Sequence, residues 1–163
     1  MNVTELLDEA KRLGVMIATA ESCTGGMVAA ALTDIPGSSA VVERSFVTYT
    51  NRAKQEMLGV KPATLDAVGA VSEEVALEMA EGALAHAPVQ LTVSITGIAG
   101  PGGSEFKPEG RVCFGLAGTG LTTTTETVEF GAPGRTQVRE AARDHALSLL
   151  RTGLSRIAEN QGG

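Results

Sequence analysis

Four segments of this chain place nucleophiles, proton carriers and flexible backbone at spacings that could do chemistry. The first is T-A-E-S-C-T-G-G, Thr19 to Gly26. A hydroxyl and a thiol follow a short apolar run, and Gly25 and Gly26 then open a helix whose first N–H groups have no partner inside it. Such a turn presents a nucleophile beside oxyanion donors, or it holds an anion. It follows the logic of a nucleophile elbow without the G-x-S-x-G spacing. The plainer alternative makes Ser22 or Thr24 a helix cap, with Gly25 and Gly26 there for packing.

The second segment pairs P-G-S-S at 36–39 with T-Y-T-N-R-A-K at 48–54, where Lys54 follows Tyr49 by five residues. A phenol and an ammonium brought together lower each other's proton affinity and can serve a serine as base or acid. The competing view is an amphipathic strand-end tyrosine and a solvated lysine. In the third, S-I-T-G-I-A-G-P-G-G at 94–103, a strand carries Thr96 into a glycine-rich loop whose N–H groups could converge on a phosphate. It matches neither the P-loop nor the dinucleotide fingerprint, and a plain surface loop is the alternative. The fourth is G-R-T-Q-V-R, where Arg135 or Arg139 could meet a phosphate or carboxylate with its guanidinium fork. A cation in a first helical turn opposes the helix dipole, which favours a functional reason for it. His86 and His145 lie on helical patterns without a ligand-spaced partner and read as structural. No H-E-x-x-H or Cys/His cluster points to a metal, and no cofactor is expected.

These residues need elements to position them. Leu6, Leu7, Ala10 and Leu13 make the N-terminus an amphipathic helix, followed by a strand at Val15–Ala20 and a small-residue helix from about Thr24 to Thr33. A β-branched and aromatic strand spans Val41–Thr50, after which Asn51 caps a short helix to Leu58. A helical piece follows Pro62, and Ser72 starts a helix reaching His86. Leu91–Thr96 reads as a buried strand, while 97–110 is too rich in Gly and Pro for a regular element. Arg111–Ala117 and Thr122–Phe130 read as a hairpin about G-T-G, and a last helix runs from Gly134 to about Ala158, with N-Q-G-G fraying. Five strands interleaved with helices predict an α/β fold, a three-layer sandwich with a mixed sheet and at least one antiparallel strand.

A length of 163 residues suits one domain, 1–163, with a core that needs no disulfide or metal staple. Aromatics are only 3% of the chain, with Tyr49 the single tyrosine, and 20 glycines take up much of the remainder. The net charge of −6 argues against nucleic acid and anionic membrane surfaces as partners. No secretion signal or apolar run of spanning length is visible, so a cytoplasmic protein with no membrane partner is expected. Cys23 and Cys113 form no metal or redox pattern and are read as reduced thiols.

Taken together, T-A-E-S-C-T-G-G at 19–26, P-G-S-S-A at 36–40, V-T-Y-T-N at 47–51, L-G-V at 58–60, G-A-V-S-E-E-V-A at 69–76 and T-G-I-A-G-P at 96–101 resemble the C-terminal domain of the CinA competence/damage-inducible family. The resemblance runs in order along nearly the whole chain. It implies a three-layer α/β/α fold with a mixed five-stranded sheet, and hydrolysis of the carboxamide of nicotinamide mononucleotide to nicotinate mononucleotide and ammonia, in pyridine-nucleotide salvage. It implies no metal, and it suggests a homodimer. Larger members carry a further N-terminal domain with nucleotide pyrophosphatase activity, which is not expected here.

Carried over by motif, the resemblance makes Ser22 the nucleophile and Tyr49 and Lys54 its activating partners. Ser39, Thr96 and either Arg135 or Arg139 would line the substrate. N–H groups of Thr24, Gly25 and Gly26 would hold the oxyanion, and the loop at Gly97 and Gly100 would help bind the 5′-phosphate. A Cys23 nucleophile is chemically reasonable, but the family role falls on the serine. One departure stands out: family members usually have two glycines before V-T-Y-[ST]-N, where this chain has Arg44 and Ser45, then Phe46. Side chains there could fill space near the site. They keep open a second reading, a catalytically impaired nucleotide-binding or regulatory module linked to competence or DNA damage.

Overall fold

In the computed structural model, which describes residues 2–104 and 106–162, the apolar runs form strands and the 3.6-residue patterns form helices. The strands are β1 (Ile17–Glu21), β2 (Val42–Val47), β3 (Leu91–Gly97), β4 (Arg111–Gly118) and β5 (Thr124–Glu129). They form one five-stranded sheet in the order β2-β1-β3-β4-β5. β1 pairs in parallel with β2 and β3, while β4 is antiparallel to both β3 and β5. The mixed sheet expected from the hairpin is therefore present.

Helices α1 (Val3–Leu13), α2 (Met27–Thr33) and α6 (Arg135–Gly162) cover one face of the sheet. Helices α3 (Asn51–Leu58), α4 (Pro62–Val68) and α5 (Glu73–His86) cover the other. The period-2 geometry of β3 sorts its residues between the two. Leu91, Val93 and Ile95 enter the core beneath α1, α2 and α6. Thr92, Ser94 and Thr96 point the other way, where their hydroxyls donate to the carbonyls of Ala80 (2.7 Å), Ala76 (2.6 Å) and Ala70 (2.9 Å). This contact needs a backbone lying almost on the sheet, so α5 packs with Ala76, Ala80 and Ala83 rather than with large side chains.

Local chemistry sets most boundaries. Asn2 caps α1 by accepting from the Glu5 N–H (3.2 Å), and Ser72 caps α5 by accepting from Val75. Thr50, not Asn51, caps α3: its Oγ1 accepts from the Ala53 N–H at 3.1 Å, which makes Asn51 the first helical residue. β2 ends at Val47, short of Thr50, because the Thr48 N–H makes a last bond to the Glu21 carbonyl (2.8 Å) before the chain turns into α3. At the C-terminus the expected fraying at N-Q-G-G is replaced by helix to Gly162. Ile157 still packs in the core there, and the Gln161 side chain donates to the Leu13 carbonyl. Thr122 and Thr123 precede the edge strand β5 instead of belonging to it.

Candidate active site

Parallel neighbours bring their carboxyl ends to the same edge of a sheet, which is where open α/β sheets bind ligands. Here β1 delivers Ser22, β2 delivers Thr48 and Tyr49, and β3 delivers the loop beginning at Gly97. Helix α3 then returns Lys54 to the same edge.

The turn after β1 is organised by Glu21, which is fully buried. Its carboxylate accepts five hydrogen bonds: from Thr24 Oγ1 (2.7 Å), from the N–H groups of Gly26 (3.1 Å), Val28 (3.1 Å) and Ala29 (3.0 Å), and from Thr19 Oγ1 (2.9 Å). A residue placed before the turn thus caps the helix after it. That explains why α2 starts at Met27 rather than at Thr24, and why neither Ser22 nor Thr24 caps it. Gly25 and Gly26 are needed for their left-handed backbone, at φ 58° and 104°. For Gly25 and Gly26 the expectation of N–H groups free for an oxyanion is corrected. Gly25 N–H donates to the Ser22 carbonyl (3.0 Å) and Gly26 N–H is held by Glu21, whereas the Thr24 N–H donates to no other residue among those described. Among the described residues the N–H of Cys23, next to the nucleophile candidate, donates to no other residue.

Ser22 meets Lys54 and not Tyr49. Lys54 Nζ lies 3.0 Å from Ser22 Oγ and donates to the Thr48 carbonyl at 2.8 Å. With Lys54 only 1% exposed, burial lowers its pKa to about 8, against a smaller opposing effect of the neighbouring Cys23. A lysine at that value supplies a neutral amine near neutral pH, as a general base for a serine hydroxyl requires. Cys23 Sγ is in the opposite state: burial pushes its thiol up to about 11, so it is a protonated neighbour and a poor nucleophile.

Tyr49 is 58% exposed, and its hydroxyl accepts from the Arg135 guanidinium at 2.8 Å. Arg135 also donates to the Gly100 carbonyl (2.7 Å), so it bridges the strand end and the glycine loop. Ser22, Tyr49, Lys54, Thr96, Gly97, Gly100 and Arg135 all line one cleft of about 340 Å³. Gly100 holds its bend at φ 91°, where a Cβ would sit 2.6 Å from the Glu109 side chain. Among the described residues no carboxylate lines this cleft, and its charged groups are Lys54 and Arg135. A larger groove of about 820 Å³ between α2 and α6 contains no serine–lysine pair.

Several expected site residues lie elsewhere. Arg139 donates to the carbonyls of Cys23 (3.0 Å) and Thr24 (3.3 Å) from behind the turn and does not line the cleft. Gly25 packs against that guanidinium, Gly26 faces Val47, and neither lines the cleft. Ser39 is exposed on a 3₁₀ turn, Ser38–Ala40, that precedes β2. Val42 pairs with Ile17 at the start of β1, whereas Val47 pairs with Glu21 at its end. The turn before β2 therefore lies at the opposite sheet edge from Ser22. Arg44 points to Glu43 and the His86 carbonyl, and Ser45 Oγ lies 2.7 Å from Thr19 Oγ1 on the Glu21 network. Neither fills the cleft.

The cleft also contains residues that sequence reasoning missed, notably Asn51, Ala70 and Val71. Asn51 stands one helical turn before Lys54, and that i, i+3 spacing was the available clue. Among the described residues no group of three His, Cys, Asp or Glu is placed to hold a metal ion. No helix of the described residues is long and apolar enough to cross a membrane.

The CinA C-terminal domain family profile matches residues 2–154. The chain belongs to the CinA family. A nicotinamide-nucleotide amidohydrolase, PncC, from Escherichia coli K12 is 50% identical over 155 residues, 92% of each chain. CinA-like proteins from Chlorobium phaeobacteroides and Chloroherpeton thalassium are 59% and 49% identical over 70% and 92% of this chain. This chain covers only 28% and 36% of their lengths. Among solved CinA-family structures, the competence/damage inducible protein of Agrobacterium tumefaciens superposes with a TM-score of 0.90 at 47% identity, covering 94% of this chain and 93% of that one. The three-layer fold and mixed sheet are thus those of the CinA family.

Proposed function

We propose that this chain hydrolyses the carboxamide of nicotinamide mononucleotide to nicotinate mononucleotide and ammonia, with Ser22 as nucleophile and Lys54 as its base. The observation that carries the proposal is the 3.0 Å contact between a buried lysine and a serine hydroxyl at the floor of a cleft that no carboxylate lines among the described residues. Similarity to the Escherichia coli nicotinamide-nucleotide amidohydrolase along nearly both whole chains supplies the substrate.

Neutral Lys54 takes the Ser22 proton as Oγ attacks the carboxamide carbon. The Cys23 N–H faces the developing oxyanion. The Lys54 ammonium then protonates the amine, ammonia leaves, and a nicotinyl ester remains on Ser22. Water, deprotonated by Lys54, attacks that ester. The acid product departs, and the proton returns to Ser22. Arg135, on the cleft wall, takes the 5′-phosphate, and Tyr49 forms a wall rather than a proton relay. Arg44 and Ser45, which kept the impaired-module reading open, lie outside the cleft and give that reading no support.

The test is timed ammonia release from nicotinamide mononucleotide by wild type and Ser22→Ala, without added metal. Release by the wild type alone is expected; equal rates would overturn the proposal. A homodimer in the cytoplasm, acting without nucleic acid, belongs to the same proposal, and light scattering after size exclusion tests the assembly.

A further inference from the structure

The substrate cleft has two walls without regular structure. One is the glycine-rich loop from Gly97 to Ser104, and the other is the link between α4 and α5 at Ala70 and Val71. Loops with so many glycines do not hold a width by themselves. Thr96 Oγ1 ties the link at the floor through the Ala70 carbonyl, at 2.9 Å. Higher up the tie is Lys107. Its ammonium donates to the carbonyls of Val68 (2.5 Å) and Val71 (2.6 Å), on either side of the lining residue Ala70. Val68 is the last residue of α4, where a cation also meets the negative end of the helix dipole.

Lys107 is itself fastened to the loop. Its N–H donates to the Ser104 carbonyl (2.7 Å), and its carbonyl accepts from the Ser104 N–H (3.0 Å). Glu109 accepts from the Gly102 N–H on the same loop. One side chain therefore joins the two walls, yet it does not line the cleft.

We propose that Lys107 is a positioning residue for the amide hydrolysis proposed above, a strap that sets the spacing between the glycine loop and the α4–α5 link. The kinetic consequence of the strap rests on that reaction, and its structural consequence does not.

Two measurements on Lys107→Met and Lys107→Arg test it. Charge-assisted hydrogen bonds to two carbonyls are strong enough that losing them should raise local opening at least about tenfold. In Lys107→Met, amide hydrogen exchange is expected to rise by that factor in segments 68–71 and 98–104, with the sheet unchanged. The KM for nicotinamide mononucleotide should rise about tenfold and kcat change less than about threefold, because the wall binds substrate but does not react. Arginine, which can also donate to both carbonyls, should restore exchange and KM to within about threefold of wild type. Unchanged exchange in the two segments, a rise spread over the whole sheet, or raised exchange without a change in KM would each overturn the proposal. If wild type releases no ammonia from the nucleotide, the reaction fails as a reading, and the exchange pattern alone decides whether Lys107 is the strap.

Discussion

The state of Lys54 can be read from the pH dependence of both rate and stability. Its pKa of about 8 lies below the ordinary 10.5 because the ammonium is buried, 1% exposed, with the Thr48 carbonyl and Ser22 Oγ as partners. At about 1.4 kcal/mol per unit, that difference is about 3 kcal/mol against the charged form. The reactive amine then makes up about one-tenth of the enzyme at pH 7 and about nine-tenths at pH 9. Accordingly kcat/KM should rise about tenfold between those values and level off. The substrate phosphate, with a second ionisation near 6, is already about nine-tenths ionised at pH 7 and adds little. In the unfolded chain the lysine stays protonated up to its ordinary 10.5, so between pH 8 and 10.5 the unfolded state binds more protons. Stability therefore rises with pH across that window, and the penalty of about 3 kcal/mol acts in full below pH 8. Lys54→Met should lose about 10²-fold or more in kcat/KM while gaining thermal stability at pH 7, and the gain should shrink by pH 10.5. Direct ammonia detection from pH 7 to 10, with melting curves at the same values, measures both. A flat rate profile, or a methionine variant that keeps a tenth of the activity, would refute a neutral lysine as the base of Ser22.

Four other substitutions separate roles that the cleft geometry assigns. Glu21→Gln places an amide NH₂ among donors and breaks a buried five-bond acceptor, so it should cost about 3 kcal/mol in urea denaturation and reduce kcat through the Ser22 turn. Arg135→Ala should raise KM for nicotinamide mononucleotide about tenfold or more while leaving nicotinamide riboside little affected; Arg139→Ala, which frees the Cys23 and Thr24 carbonyls, should lower kcat for both substrates equally. Tyr49→Phe removes only a hydroxyl that accepts from Arg135, so kcat should stay within about fivefold. A loss of about 10²-fold would restore Tyr49 to proton transfer.

The sheet was legible because period-2 and period-3.6 patterns are local: β3, β4 and α5 start within a residue of expectation. The resemblance placed Ser22 with Lys54, but the residues alone left Lys54 as a solvated charge. A clue was present in α3, where Lys54 and Leu58 are four apart on the same buried face, a position where a lysine needs a reason. Other features were illegible for physical reasons. Glu21 caps a helix that begins beyond an intervening turn, a geometry no capping-box spacing describes. Arg135 and Arg139 are four apart on one face of α6, so which of them reaches the cleft depends on where the start of α6 stands along its axis relative to the cleft. Ser39 was misplaced because a motif is a string, whereas the parallel register sends the residues before a strand and those after it to opposite edges of the sheet.

Glu21 also constrains how a substrate can lie. A helix N-terminus beside a nucleophile would ordinarily draw the anionic end of a nucleotide toward the reacting serine. In this chain the first N–H groups of α2 already bind a carboxylate, so that attraction is largely cancelled at Ser22. The cleft's remaining cations differ in depth: Lys54 is buried at the floor and Arg135 is exposed on the wall. A phosphate on the floor would stabilise the Lys54 ammonium and remove the base the reaction needs. Only one orientation satisfies both conditions, with the carboxamide inward on Ser22 and the phosphate outward on Arg135. Inorganic phosphate should therefore compete with the nucleotide at Arg135 without moving the pH at which kcat/KM is half-maximal. An upward movement of that midpoint with phosphate would place the anion beside Lys54 and reverse the orientation.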